Sequence, residues 1–140
     1  MKTFSKLGLL SVLLAAGVCR SLALDGAVVI ANPGVAADSL TADGLKDIYT
    51  AKTKYWDGGQ NIVIAVLPDK TDAALQQASG MEASQFKTFW QRLAFSGRGQ
   101  EPKSASDAAS LIALVASTKG AIAIVPADAT LTGVKKIEIK

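Results

Sequence analysis

Ser84 and Lys87 carry the spacing S-x-x-K, in which a lysine amine accepts the proton of a serine nucleophile. The partner motifs of that chemistry, S-D-N and K-T-G, are absent. Eight serines and ten lysines follow residue 23, so one such spacing is unremarkable. Both residues flank Phe86 on the polar side of an expected helix, and a solvated face explains them. Asp69 and Asp72 lie close together, but a turn followed by a helix start accounts for two carboxylates there. The chain contains no histidine, which excludes Ser–His and Cys–His catalysis and any His-ligated zinc site. No EF-hand, dinucleotide or Walker fingerprint is present. The expectation is a chain with no catalytic residue, no metal and no cofactor. Two glycine turns, Gly58-Gly59 and Ser96-Gly97-Arg98-Gly99, have backbone that can face an anion, though each alone reads as a turn.

The first 23 residues point to a destination. Lys2 and Lys6 precede the apolar run Leu7 to Val18, which is too short for a helix to cross a bilayer of about 30 Å. Ser21-Leu22-Ala23 sets small residues at the −3 and −1 positions of a secretory cleavage site, so cleavage is expected after Ala23. Cys19 is preceded by Val18, not by a small residue, and followed by Arg20, which speaks against lipidation. Residues 1–23 are therefore expected to be a signal peptide, and 24–140 one exported, periplasmic domain. The chain holds 15 Lys and Arg against 12 Asp and Glu, and Lys2, Lys6 and Arg20 account for the whole excess. A neutral mature domain gives no argument for nucleic acid or membrane binding. With Cys19 removed, no disulfide can form.

The elements that must position any site follow from hydrophobic patterning. Gly26 to Ala31, Ile62 to Leu67 and Ala121 to Val125 read as buried strands, and Lys135 to Ile139 as an alternating edge strand. Thr41 caps a short helix carrying Leu45, Ile48 and Tyr49. Thr71 to Ser79 is a second helix, ended by Gly80. Ala83 to Ala94 is a third, with Phe86, Phe89, Trp90 and Leu93 on one stripe. Ser96 to Lys103 reads as a loop, and Ser104 or Ser106 caps a fourth helix with Leu111, Ile112 and Val115 inward. Continuously apolar strands call for a mostly parallel sheet covered by helices on both faces, an α/β domain.

A family pattern runs through these elements. Leu45-x-Asp47-Ile48-Tyr49-Thr50, then Lys52-x-x-Tyr55-Trp56-Asp57-Gly58-Gly59 before a strand, resembles periplasmic phosphate-binding proteins of ABC transporters. The likeness continues through Phe86-x-x-Phe89-Trp90, Phe95-Ser96-Gly97-x-Gly99 with Pro102, and Gly120-Ala121-Ile122. It is closest to short, single-lobe members and spans roughly Val28 to Ile139. The resemblance implies a single periplasmic-binding-protein-like lobe, a mixed and mostly parallel sheet flanked by helices, holding phosphate or a related oxyanion. It implies an anion site at Lys70 and Thr71, assisted by Ser39 and by Ser96, Gly97 and Arg98. The chain also departs from the pattern. Leu67 stands where the family has an arginine. Thr71-Asp72-Ala73 replaces a Ser-Gly-Thr triplet, and Asp72 adds negative charge. Ala123-Ile124 stands where Gly-Tyr is common. The alternative is an interaction module that kept the fold and lost the ligand, with a transporter, a membrane sensor or a second copy of itself as partner.

Overall fold

The computed structural model of the protein describes Leu24, residues 26–68 and residues 70–140. The signal-peptide reading of residues 1–23, and Asp69, lie outside the described residues. The elements in chain order are β1 (Ala27–Ala31), β2 (Ser39–Leu40), α1 (Ala42–Tyr49), β3 (Val63–Val66), α2 (Asp72–Ser79), α3 (Ala83–Phe95), β4 (Lys103–Ser104), α4 (Ala108–Ser117), β5 (Ala121–Pro126) and β6 (Lys135–Ile139). Thr41 caps α1 as expected, its Oγ1 accepting from the Gly44 N–H at 2.9 Å. Gly80 closes α2 in the left-handed conformation that a Cβ would oppose, and its N–H donates to Gln76 O at 2.7 Å.

The strands form one mixed sheet in the order β2-β6-β1-β5-β3-β4. β3 pairs in parallel with β4 and β5, β6 pairs in parallel with β2, and β1 runs antiparallel to both its neighbours. Five strands thus share one direction, and β1 alone opposes them. This is the expected mostly parallel α/β lobe.

The two-residue period of a strand divides the core. Val29, Ala31, Ile64, Ile122, Ile124, Ile137 and Ile139 join α1, α2 and α3 on one face. Ile30, Ala65, Ala121, Ala123 and Val125 join Leu111, Ile112 and Val115 of α4 on the other. Both faces are covered, which is why these strands read as unbroken apolar runs.

Three local expectations are corrected. The expected loop from Ser96 to Lys103 ends in a strand residue. Lys103 and Ser104 pair with Ala65 and Val66 because β3 needs a neighbour on its outer edge. β6 is not an edge strand, since β2 pairs with it at Glu138 and Ile139. The α4 cap is Asp107 and not Ser104 or Ser106. Its carboxylate accepts from the Ser110 N–H at 2.7 Å.

Tyr49 is fully buried, and its hydroxyl has no hydrogen-bond partner among the described residues. Burial pushes its pKa up, because the phenolate would sit among apolar groups. An unpartnered buried hydroxyl costs stability and its removal leaves no other group stranded. Tyr49→Phe is therefore expected to stabilise the fold by about 1 kcal/mol in urea denaturation. A loss of stability would show that the hydroxyl has a partner in solution.

Candidate functional site

The topology itself marks one place on the sheet. From β3 the chain crosses to β4 through α2 and α3 on one face, and from β4 to β5 through α4 on the other. β3 and β4 are adjacent and parallel. Their carboxyl ends therefore feed helices to opposite faces, and a crevice opens between them. In open α/β sheets, ligands bind outside the carboxyl ends of strands at such a switch point.

A cavity of about 310 Å³ occupies the α2/α3 side of this crevice. Val66 and Leu67 bring it the end of β3, Thr71 and Asp72 the start of α2, and Ser104 the end of β4. Ser84, Phe86 and Lys87 of α3 line it opposite, and Glu101 and Pro102 lie before β4. Thr71 is 7% exposed, and its Oγ1 donates to Leu67 O at 3.1 Å and does not cap α2. Thr71 thus supplies no side-chain cap to the positive end of α2.

Lys70 is exposed, and its charge reaches Asp107 at the start of α4. Donation from the Ser110 N–H, first, and the Lys70 ammonium hold the Asp107 carboxyl below the usual carboxylate range. A lowered folded-state pKa means that the cap stabilises fully above the unfolded value of about 3.9 and is lost as pH falls through the folded value. Asp107→Asn keeps an acceptor but no titrating group. Its thermal midpoint should fall less than wild type's between about pH 7 and pH 3, and Asp107→Ala should already be lower at pH 7. Equal acid sensitivity in wild type and Asp107→Asn would rule out this contribution.

Of the six residues expected around an anion, Thr71 lines the crevice cavity, and Lys70 precedes it in the chain without lining that cavity. Ser39 lies on β2, at the opposite edge of the sheet. Four strand spacings separate β2 from β3, about 19 Å. Ser96, Gly97 and Arg98 form the C-terminal turn of α3. Their N–H groups donate to Arg92 O, Ala94 O and Leu93 O at 3.0, 3.2 and 2.9 Å. That backbone is occupied, and it sits at the negative end of a helix, which disfavours an anion. Gly97 and Arg98 line a different cavity of about 530 Å³, with Lys54, Tyr55 and Trp90. There the Lys54 ammonium donates to Arg98 O at 2.6 Å.

Ser84 and Lys87, read as a solvated face, are both exposed and line the crevice cavity as well. No hydrogen bond joins the two side chains among the described residues. Glu101 was singled out by no sequence signal, because it lies in an irregular stretch and only the β3–β4 pairing brings it to the crevice. Among the described residues no group of His, Cys, Asp and Glu is arranged to hold a metal ion, and no helix is long and apolar enough to cross a membrane.

No protein-family model matches the chain, and no curated protein sequence matches it. Solved structures do. A protein from Clostridium perfringens described as a phosphate ABC transporter substrate-binding protein, with bound phosphate, matches with a TM-score of 0.64 at 20% identity, over 82% of this chain and 45% of its own. An ABC-type phosphate transport receptor from Vibrio cholerae matches at 0.57 and 16% identity, over 85% and 48%. PstS from Borrelia burgdorferi matches at 0.56 and 10% identity, over 83% and 47%. The chain spans less than half the length of each of these proteins. At these identities the likeness is one of fold: this is a single lobe of a periplasmic-binding-protein-like architecture.

Proposed function

We propose that this chain is an exported, non-enzymatic binding lobe that holds phosphate or a related oxyanion weakly at Lys70 and Thr71, in connection with ABC-type uptake. The observation that carries the reading is the switch-point crevice between β3 and β4, with the start of α2 in its wall and Lys70 two residues before that helix. A helix start there attracts an anion through its dipole, worth about 0.3–1 kcal/mol. Charge-assisted hydrogen bonds add about 1.5–3 kcal/mol each.

Opposing them is the Asp72 carboxylate in the same wall. A like charge about 4 Å from the anion costs about 4 kcal/mol at an effective dielectric of 20, enough to cancel one or two good hydrogen bonds. Leu67 supplies no bidentate cation in place of an arginine. The expected dissociation constant for phosphate is therefore about 0.1 mM or weaker, roughly −5.5 kcal/mol or less favourable. Calorimetry tests this. Asp72→Asn should tighten phosphate binding, and Thr71→Ala should weaken it. Nanomolar binding by the wild type would place the anion elsewhere.

A second reading has its own observation. Phe95 is 97% exposed at the end of α3. Beside it an open groove of about 840 Å³ is lined by Met81, Phe89 and Leu93 with Arg92 and Arg98. Exposed apolar surface of this kind suits contact with another protein. If no oxyanion binds at about 10 mM, far above any useful affinity, the interaction-module reading replaces the first.

A further inference from the structure

We infer that the ligand of the crevice is a small zwitterion with an apolar body, of the class of apolar α-amino acids. Its carboxylate is held by Lys87 and its ammonium by Glu101. The inference rests on that part of the proposed function which makes the crevice a binding site, and it sets a tighter ligand there than phosphate, which remains the weak one.

The cavity of about 310 Å³ falls in the size range of small-molecule sites, roughly 300–1,000 Å³, which are mostly apolar with a few convergent polar groups. Val66, Leu67, Leu75, Phe86 and Pro102 supply apolar lining. Inorganic phosphate has no apolar surface to set against them, and an aliphatic side chain does.

The charges point the same way. Among the described residues, Lys87 is the one cationic residue lining the cavity, and Glu101 and Asp72 are the two anionic ones. A ligand carrying only negative charge meets a lining with more carboxylates than ammonium groups. A ligand carrying only positive charge leaves Lys87 unmatched and faces the positive end of α2. A ligand with both charges matches Lys87 on α3 and Glu101 before β4, on separate segments that border one cavity. The hydroxyls of Ser84 and Ser104 line the same space and can donate to a carboxylate. Leu67 fits this chemistry better than the arginine that the resembled family has at its position, because it extends the apolar wall.

Calorimetry with four probes separates the terms: leucine, isocaproate (no ammonium), isopentylamine (no carboxylate) and inorganic phosphate. Leucine should bind at least about tenfold more tightly than each of the others. Glu101→Gln should weaken leucine about tenfold and leave isocaproate within about twofold of wild type. Lys87→Gln should weaken leucine and isocaproate about tenfold and leave isopentylamine within about twofold. Both residues are exposed, so neither change threatens the fold. Phosphate binding more tightly than leucine overturns the zwitterion and keeps the oxyanion reading. Leucine binding that ignores both substitutions overturns the assignment of Lys87 and Glu101. No binding of any probe at about 10 mM overturns this inference and the oxyanion reading together.

Discussion

Trp90→Ala is expected to lower the unfolding free energy by about 3–5 kcal/mol, the range for truncating a buried aromatic residue. Trp90 is 7% exposed on α3 and packs between Phe86, at a ring-centroid distance of 6.2 Å, and Phe89, edge-on at 5.9 Å. Its indole N–H also donates to Tyr49 O at 3.1 Å, tying α3 to the end of α1. Two losses therefore coincide: the volume that holds the α1/α2/α3 face together, and the donor of a buried carbonyl. Trp90→Phe separates them. It keeps most of the apolar area and strands the carbonyl, and should cost about 1–3 kcal/mol. Urea denaturation followed by circular dichroism reads both. A cost under about 1 kcal/mol for Trp90→Ala would put the ring at the surface, where it would be free to meet a ligand through the cavity it shares with Arg98.

The second large effect is expected at Gly120. It has φ +77°, and a Cβ there would lie 2.0 Å from Asn61 O. The same residue's carbonyl accepts from the Val63 N–H at 3.0 Å and from the Trp56 indole N–H at 2.9 Å. Gly120→Ala thus adds left-handed strain of about 1–2 kcal/mol and forces apart the starts of β3 and β5, at a further cost of about 1–3 kcal/mol. Gly97→Ala is the control. Gly97 has φ +74° but nothing within 4 Å of the added Cβ, so only the strain remains. Gly120→Ala should be the less stable of the two by more than about 1 kcal/mol, with a change in Trp56 fluorescence. Equal losses would mean that the β3–β5 junction yields to the methyl group.

These residues show how far the sequence could be read. The stripe Phe86-Phe89-Trp90-Leu93 announces a buried helix face by its period, and the structure buries Phe86 and Trp90 and half-buries the other two. Trp56 reads as a core cover in a turn, and it is buried. Gly120 reads only as the end of a helix, because the close approach of Asn61 comes from a distant segment just before β3. Asn32 reads only as part of a turn. In the fold it is buried, its amide donating to Val115 O at 3.0 Å and Ala116 O at 3.1 Å, and its Oδ1 accepting from the Gly34 N–H at 2.9 Å. It satisfies carbonyls at the end of α4, 83 residues away, and no local pattern could announce that.

The site divides in the same way. The strand-turn-helix at Leu67 to Asp72 is local, so sequence placed Lys70 and Thr71 at a helix start, where the structure keeps them. Ser39 and the Ser96–Arg98 turn were joined to it by resemblance, and their positions depend on strand order. β2 lies four strands from β3, and the turn's N–H groups close the end of α3. What the sequence by itself determined is the α/β class, the helices and the buried strands. These follow from hydrophobic period, caps and glycine stops within a few residues of each position. The order β2-β6-β1-β5-β3-β4, the parting of crossovers at β3 and β4, and the placing of Lys87 and Glu101 along one cavity were decided only by tertiary structure. Strand pairing is a contest among distant segments of similar apolar character, and only mutual burial of both sheet faces settles it.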